Sequence, residues 1–167
     1  MSETPHVGLL KLKQQIGDYE GYGDAAQKQQ SDKSVRLYLI NKIKNLLEQL
    51  SQEYCAANQD DQTRLDSLIK STKRKLRTIH QSLTTPTYIQ ESFFHTMSIP
   101  TQRLGRIYDL EGVMLEETEN IRLELTELAK DGKERSTFED YFLHIDAYVD
   151  NINQALFERE ALILGDE

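Results

Sequence analysis

Apolar side chains recur at alternating steps of three and four between residues 101 and 132. They are Leu104, Ile107, Met114, Ile121, Leu125 and Leu128, with Glu111 and Thr118 in the two remaining places of the series. This spacing is a heptad stripe along one face of an α-helix. A helix of about 45 Å, at ~1.5 Å per residue, is stable in water only when other segments cover its apolar face. The stripe therefore predicts a long helix packed among other helices.

Three other segments carry comparable stripes. The first begins after the capping residues Ser31 and Asp32, the second ends near Thr84, and the third begins at the capping box Ser136 and Glu139 and stops at Gly165. Their apolar positions are, in chain order, Leu39, Ile43, Leu46 and Leu50; Leu65, Ile69, Leu76, Ile79 and Leu83; Phe138, Phe142, Ile145, Val149, Ile152, Leu156 and Ile163. Arg159 occupies one place of the last stripe. Short connectors between long helices favour antiparallel neighbours.

The pattern as a whole predicts an all-α fold, an antiparallel four-helix bundle of two helical hairpins. The hairpins span 34–84 and 101–164, a short aromatic crossover helix at 85–100 joins them, and the bundle covers 34–167. Residues 1–33 form a short amphipathic helix and a turn rich in glycine and tyrosine, which we expect to be partly flexible. In that turn, acidic neighbours disfavour anion binding, and we expect Tyr19 and Tyr22 to lie on the bundle with their hydroxyls in water.

The crossover segment between Pro86 and Pro100 is rich in aromatic residues. Tyr88, Phe93 and Phe94 lie there at helical spacing. Aromatic residues at such spacing are mostly buried, so the favoured interpretation is a plug that closes one end of the bundle. The alternative is an exposed docking patch.

Composition and charge narrow the class of protein. A single cysteine, Cys55, excludes an internal disulfide, and no uncharged apolar run approaches the ~20 residues that a bilayer span requires. We therefore expect a cytoplasmic protein with no membrane span. Residues 1–100 carry 13 Lys and Arg against 11 Asp and Glu, whereas residues 101–167 carry 7 against 17. The acidic second part argues against nucleic acid as a partner.

Carboxylate and histidine pairs raise the question of a metal site. A di-metal bundle needs a Glu-x-x-His pair on each of two helices. The sequence has this pair only at Glu3 and His6, in the N-terminal tail. Looser pairs, Glu91 with His95 and Asp140 with His144, place a carboxylate and an imidazole one turn apart. Such pairs usually form local ion pairs, so we predict no metal.

Glu111 is the sharpest irregularity, because the heptad register places it on the apolar face. A buried carboxylate must pair with a cation, move to the edge of the face, or take a raised pKa. Arg159 is the natural partner. Counted from a turn centred near residue 132, however, Glu111 is 21 residues away and Arg159 is 27. The favoured interpretation is therefore an edge residue that reaches solvent.

Two further features could serve binding. Gly105 and Gly112 lie one heptad apart and permit close approach of a neighbouring helix or, less often, of a ligand. The segment 70–77 is basic, and acidic residues of the 101–132 helix could pair with it across the rim of the bundle. If these two helices are not neighbours, the basic strip faces an anionic partner.

These patterns favour a non-catalytic helical interaction or assembly module that binds a protein partner or itself. We predict no catalytic residue, no cofactor and no metal. The possible interaction surface consists of Lys70, Lys73, Arg74, Arg77, Tyr88, Phe93 and Phe94. The alternative is a bundle that binds a small molecule or a metal at an interior site near Gly105, Glu111, Gly112 and His144.

Overall fold

The computed structural model describes residues 4–57, 63–95, 98–131 and 135–165, and within these ranges the fold is all-helical without a strand. The helices are α1 (Val7–Gln15), α2 (Ala25–Ala57), α3 (Thr63–Thr84), α4 (Thr101–Asp131) and α5 (Arg135–Leu164), with one 3₁₀ turn at Ser92–Phe94. The predicted all-α class is confirmed. Gly132, a glycine in the position of a C-terminal cap for the helix predicted over 101–132, lies outside the described residues, as does the Ser136 side chain of the predicted capping box.

The first long helix begins earlier than predicted. Ser31 and Asp32 do not cap it, because α2 starts at Ala25 and both residues are buried within the helix. The cap is instead formed by Asp24 and Gln27. The Gln27 amide donates to Asp24 Oδ1 at 2.8 Å, and the Asp24 amide donates to Gln27 Oε1 at 3.2 Å. This reciprocal arrangement is a capping box, which satisfies two amides of the helix start.

The four long helices pack so that each contacts two others. α2 contacts α3 and α4, and α5 contacts α3 and α4, while α1 lies on α4. The start of α4 meets the end of α5, where Arg106 Nη2 is 2.6 Å from Glu158 Oε2. Near the start of α2, Arg36 Nη1 donates to the Leu83 carbonyl near the end of α3 at 3.1 Å. These contacts are consistent with a helical bundle.

The apolar stripes supply the core. Except for Leu104, which is half-buried, the stripe positions predicted above are buried, together with two residues of the N-terminal segment, Leu12 and Ile16. None of the described helices is long and apolar enough to cross a membrane.

The crossover segment is not the helix that the sequence predicts. Its only helical part among the described residues is the 3₁₀ turn Ser92–Phe94, and the Thr85 hydroxyl donates back to the Gln81 carbonyl of α3 instead of capping a new helix. Phe93 and Phe94 pack edge to face at 5.0 Å between centroids, and the turn contacts α2 and α5. The aromatic side chains are therefore held by tertiary packing rather than by helical periodicity.

Candidate functional site

A group of polar side chains lies inside the apolar core. We call it the buried polar cluster, and it consists of Tyr19, Tyr22, Asp32, Tyr88, Glu111 and Arg159. The stripes of α4 and α5 place Glu111 and Arg159 on the core-facing sides of their helices. Their side chains are 0% and 1% exposed, so neither reaches solvent.

Arg159 is the centre of the cluster. Its Nε donates to Glu111 Oε1 at 2.7 Å, and its Nη2 donates to Asp32 Oδ1 at 2.8 Å and to the Tyr22 hydroxyl at 3.0 Å. Its Nη1 donates to the Tyr88 hydroxyl at 2.9 Å. Four of the five donors of the planar guanidinium therefore have partners, which is the arrangement a buried arginine requires.

Each carboxylate has further donors. Glu111 accepts hydrogen bonds from the hydroxyls of Tyr19 and Tyr22, one on each oxygen. Asp32 Oδ1 accepts from the Tyr88 hydroxyl at 2.7 Å, and Asp32 Oδ2 accepts from Arg36 Nε at 2.8 Å. The two carboxylates are thus surrounded by hydroxyl and guanidinium donors contributed by four separate segments of the chain, which are the turn before α2, α2 itself, the crossover and α5.

Burial and pairing act on the acidic groups in opposite directions. Burial raises the pKa of Glu111, and the nearby Arg159 guanidinium only partly offsets this. Burial also disfavours the charged form of Asp32, but Arg159 and Arg36 outweigh it and leave the pKa of Asp32 below its ordinary value. Burial raises the pKa of Tyr88 to about 12. With both carboxylates ionised, the guanidiniums of Arg159 and Arg36 balance the negative charges of Asp32 and Glu111.

The interpretation of Glu111 as a residue that reaches solvent from the edge is wrong. The count from a single turn centre does not exclude this contact. Among the pairs that join α4 to α5, Arg106 with Glu158 is centred on residue 132, Glu124 with His144 on residue 134, and Glu111 with Arg159 on residue 135. Long side chains therefore meet across offsets of a few residues, and Arg159 Nε lies 2.7 Å from Glu111 Oε1.

The N-terminal tyrosines also differ from expectation. Tyr19 and Tyr22 are buried with 2% and 1% of their surface exposed, and their hydroxyls bond to Glu111 rather than to water. The Tyr22 amide donates to the Tyr108 hydroxyl at 3.0 Å, and the two rings stack at 5.7 Å. The turn before α2 is therefore anchored to α4.

Ser31 fixes the backbone of that turn. Its Oγ accepts from the amides of Glu20 and Gly21 at 3.0 and 2.8 Å. Gly21 has φ +92°, where a side chain is strained, and an added Cβ would come within 2.9 Å of Leu9 Cδ1. Sequence reasoning treated Ser31 as a cap and did not identify this role. The glycine between the two tyrosines was the available signal.

The residues of the predicted interior ligand site do not come together. A Cβ at Gly105 would lie 3.2 Å from His6 Nε2, so the side chain that approaches this glycine is that of the residue preceding α1. No described atom lies within 4 Å of a Cβ placed on Gly112. The His144 side chain is 63% exposed beside Glu124, fifteen residues along α5 from the partner of Glu111. The four residues therefore do not surround one cavity.

The candidate metal pairs remain isolated. In the described ranges, no group of three or more His, Cys, Asp or Glu side chains is arranged to hold a metal ion. Glu3 lies outside the described residues, and His6 Nδ1 instead accepts from the Gly8 amide at 3.1 Å as the cap of α1.

The predicted interaction surface separates into two parts. Tyr88, Phe93 and Phe94 are 2%, 3% and 1% exposed, so they do not form an exposed docking patch, because they pack into the core. The remaining residues lie on α3, where Lys70, Arg74 and Arg77 are exposed and Lys73 is half-buried.

The described ion pairs of α3 lie within α3 and between α3 and α5. Lys70 Nζ lies 2.9 Å from Asp66 on its own helix. Lys75 Nζ contacts Asp146 Oδ2 at 2.9 Å and Asp150 Oδ1 at 2.8 Å, both on α5. The reason is topological, since α3 packs on α2 and α5.

Comparisons of the chain with models of protein families, with curated proteins and with solved structures find no match.

Proposed function

We propose that this protein is a non-catalytic helical interaction or assembly module. The observation that carries the proposal is the buried polar cluster. Its ionisable groups are sealed from solvent and bonded to one another, with Glu111 at 0% and Arg159 at 1% side-chain exposure. An arrangement of this kind holds helices in register and gives a substrate no access, which suits a scaffold better than an active site.

We further propose that the bundle is built from two antiparallel hairpins, α2 with α3 and α4 with α5. The contacts of Arg36 with Leu83 and of Arg106 with Glu158 support opposite directions within each hairpin. The hairpins then stack through α2 on α4 and through α3 on α5. This arrangement leaves the outer faces of both hairpins available to partners.

The outer faces carry the apolar area that a partner requires. Phe157 is 68% exposed on α5, and Leu37 and Leu123 are 48% and 47% exposed on α2 and α4. Exposed apolar side chains are ordinary when scattered singly. In the sequence, Leu123 lies between Arg122 and Glu124, and Phe157 precedes Glu158. Apolar side chains with charged neighbours are typical of protein interfaces that have an apolar centre and a polar rim. A cytoplasmic location stays a prediction.

Crosslinking in cells that produce the protein, combined with light scattering of the purified chain, tests the proposal. We expect a stoichiometric complex, either with itself or with another protein, whose crosslinked peptides map to α2, α3, α4 or α5. A monomer that crosslinks no more than a non-binding helical bundle of similar size contradicts it. A substrate-consuming activity that Glu111→Gln abolishes in a folded variant would also overturn it.

A further inference from the structure

Two grooves of opposite charge lie on the two hairpins. The groove between α4 and α5, which we call the acidic groove, has a volume of about 620 Å³ and is lined by Leu123, Glu124, Glu127, Asp140, Tyr141 and Tyr148. The groove between α2 and α3, which we call the basic groove, has a volume of about 820 Å³ and is lined by Ile40, Lys44, Leu47, Glu48, Arg77 and His80. Each therefore combines apolar side chains with one predominant charge.

The chemistry of the two grooves is complementary. In the acidic groove, three carboxylates stand beside two tyrosine rings and Leu123, which is 47% exposed. His144 also lines this groove, and its Nδ1 lies 3.5 Å from Glu124 Oε1, so Glu127 and Asp140 are the carboxylates of the groove outside this pair. Carboxylates and aromatic faces together bind lysine and arginine side chains. In the basic groove, Lys44 and Arg77 outnumber Glu48 and flank the half-buried Ile40 and Leu47. Leu123 and the carboxylates of the acidic groove therefore match the apolar and basic side chains of this groove.

The grooves lie at a similar height along the helices. α2 and α4 are neighbours, and Asp32 and Glu111, which are 79 positions apart, both bond to Arg159. A second pair gives a similar offset. The Lys42 ammonium of α2 helps lower the pKa of Glu119 of α4, and these two residues are 77 positions apart. Offsets of 77 to 79 positions place Lys44, which lines the basic groove, at the height of residues 121–123 of α4. Leu123, in that range, lines the acidic groove.

We propose that the acidic groove of one copy of this chain docks onto the basic groove of a second copy. The proposal rests on the proposed function, since it names the partner of an interaction module. The two surfaces differ, so the contact is heterologous, and repeated docking gives a chain of copies or a closed ring. Two copies that each carry a net charge of −8 repel each other at long range. Salt at physiological concentration screens this repulsion beyond ~8 Å, so the charges that meet in the two grooves determine whether the copies associate.

Charge-reversal variants test the pairing by sedimentation velocity. The basic-groove variant is Lys44→Glu with Arg77→Glu, and the acidic-groove variant is Glu127→Lys with Asp140→Lys. The wild type should associate with rising concentration up to about 200 µM, where contacts of micromolar Kd are populated. Each variant alone should stay monomeric. Their equimolar mixture should associate again, because the intact acidic groove of one variant can meet the intact basic groove of the other.

Matched controls change the net charge equally at exposed sites outside both grooves. Lys11→Glu with Lys13→Glu matches the basic-groove variant, and Asp18→Lys with Glu20→Lys matches the acidic-groove variant. Both controls should associate as the wild type does. Circular dichroism of all variants should be unchanged, because every substituted side chain is exposed.

The outcomes separate this inference from the proposed function. A wild type that stays monomeric while binding another protein overturns the self-docking and leaves the interaction module standing. If that other protein binds through Lys44 and Arg77, the occupant of the basic groove is an acidic partner instead of a second copy. Association of the wild type that persists in either groove variant, or a mixture that fails to dimerise, overturns the pairing of these two grooves.

Discussion

Replacing Arg159 with methionine should destabilise the protein severely. The change keeps an unbranched side chain of similar reach but removes four hydrogen bonds and the guanidinium charge between two buried carboxylates. Breaking a buried ion pair by removing one partner costs about 3 to 5 kcal/mol. Asp32 keeps Arg36 and Tyr88, so the larger share of the loss falls on Glu111. We expect a loss of about 4 kcal/mol in the free energy of unfolding at neutral pH.

The loss should depend on pH in a defined direction. Burial already raises the pKa of Glu111, and removing the adjacent cation raises it further. A carboxyl whose pKa is higher in the folded than in the unfolded state binds more protons when folded, so the stability of the variant falls as pH rises through the interval between the two pKa values. The variant should therefore be less destabilised at pH 5 than at pH 8.

Urea unfolding followed by circular dichroism at both pH values measures these quantities. A double-mutant cycle with Glu111→Gln isolates the coupling, because glutamine keeps an oxygen that accepts the tyrosine hydroxyl bonds but removes the charge. We expect a coupling of about 1 to 3 kcal/mol. Arg106→Met is the matched control, since Arg106 also links α4 to α5 but its side chain is 55% exposed, and it should change little.

Three results would refute this reasoning. A loss below about 1 kcal/mol for Arg159→Met would mean that the cluster is not desolvated. An equal loss at pH 5 and pH 8 would mean that Glu111 does not take up the proton. Additive effects in the cycle would mean that Arg159 and Glu111 do not interact in the folded protein.

Three other predictions concern the tyrosines and the turn before α2. Tyr22→Phe removes the hydroxyl between Arg159 and Glu111 and should cost about 1 to 3 kcal/mol in urea unfolding. Gly21→Ala should lower the free energy of unfolding by more than about 1 kcal/mol, because Gly21 has a positive φ and an added Cβ would contact Leu9. Gly17→Ala is the control. No described atom lies within 4 Å of a Cβ added there, so this change should be close to neutral. In alkaline titration followed at 295 nm, Tyr88 and the three other tyrosines with raised pKa values should ionise above the ordinary range of tyrosine. The stability that Tyr88 contributes is present below pH ~10 and is lost as pH rises through its pKa of about 12. Ionisation of all eight tyrosines together near pH ~10 in the folded protein would contradict the burial of these rings.

The long helices could be predicted from the sequence because heptad spacing is a local property. The places of Glu111 and Arg159 were visible as interruptions of two stripes. Their contact was not visible, because it depends on where the α4–α5 connection is centred, and a shift of two residues moves facing side chains by about a turn. Asp32 was misjudged for a different reason. The signal for the start of α2 was present as Asp24 and Gln27, three residues apart, and the later candidates Ser31 and Asp32 took precedence over it.

The crossover segment shows where local sequence rules predict a helix that the fold does not form. Proline at each end and aromatic residues between them satisfied the rules for a short helix, yet the segment has only one 3₁₀ turn among its described residues. Burial of Tyr88, Phe93 and Phe94 in the core outweighs the helical propensity of this segment. The N-terminal tyrosines were missed for the same reason, since their partner is 92 and 89 positions away in the chain.

The span of the Arg159 contacts has a consequence for biosynthesis. The guanidinium joins residues as far as 137 positions upstream, because it bonds to Tyr22 as well as to Asp32 and Glu111. A nascent polypeptide that has left the ribosome only through Asp131 holds both carboxylates but lacks this cation. The first helices cannot complete this interior until α5 emerges, so acquisition of the native state waits for the synthesis of α5.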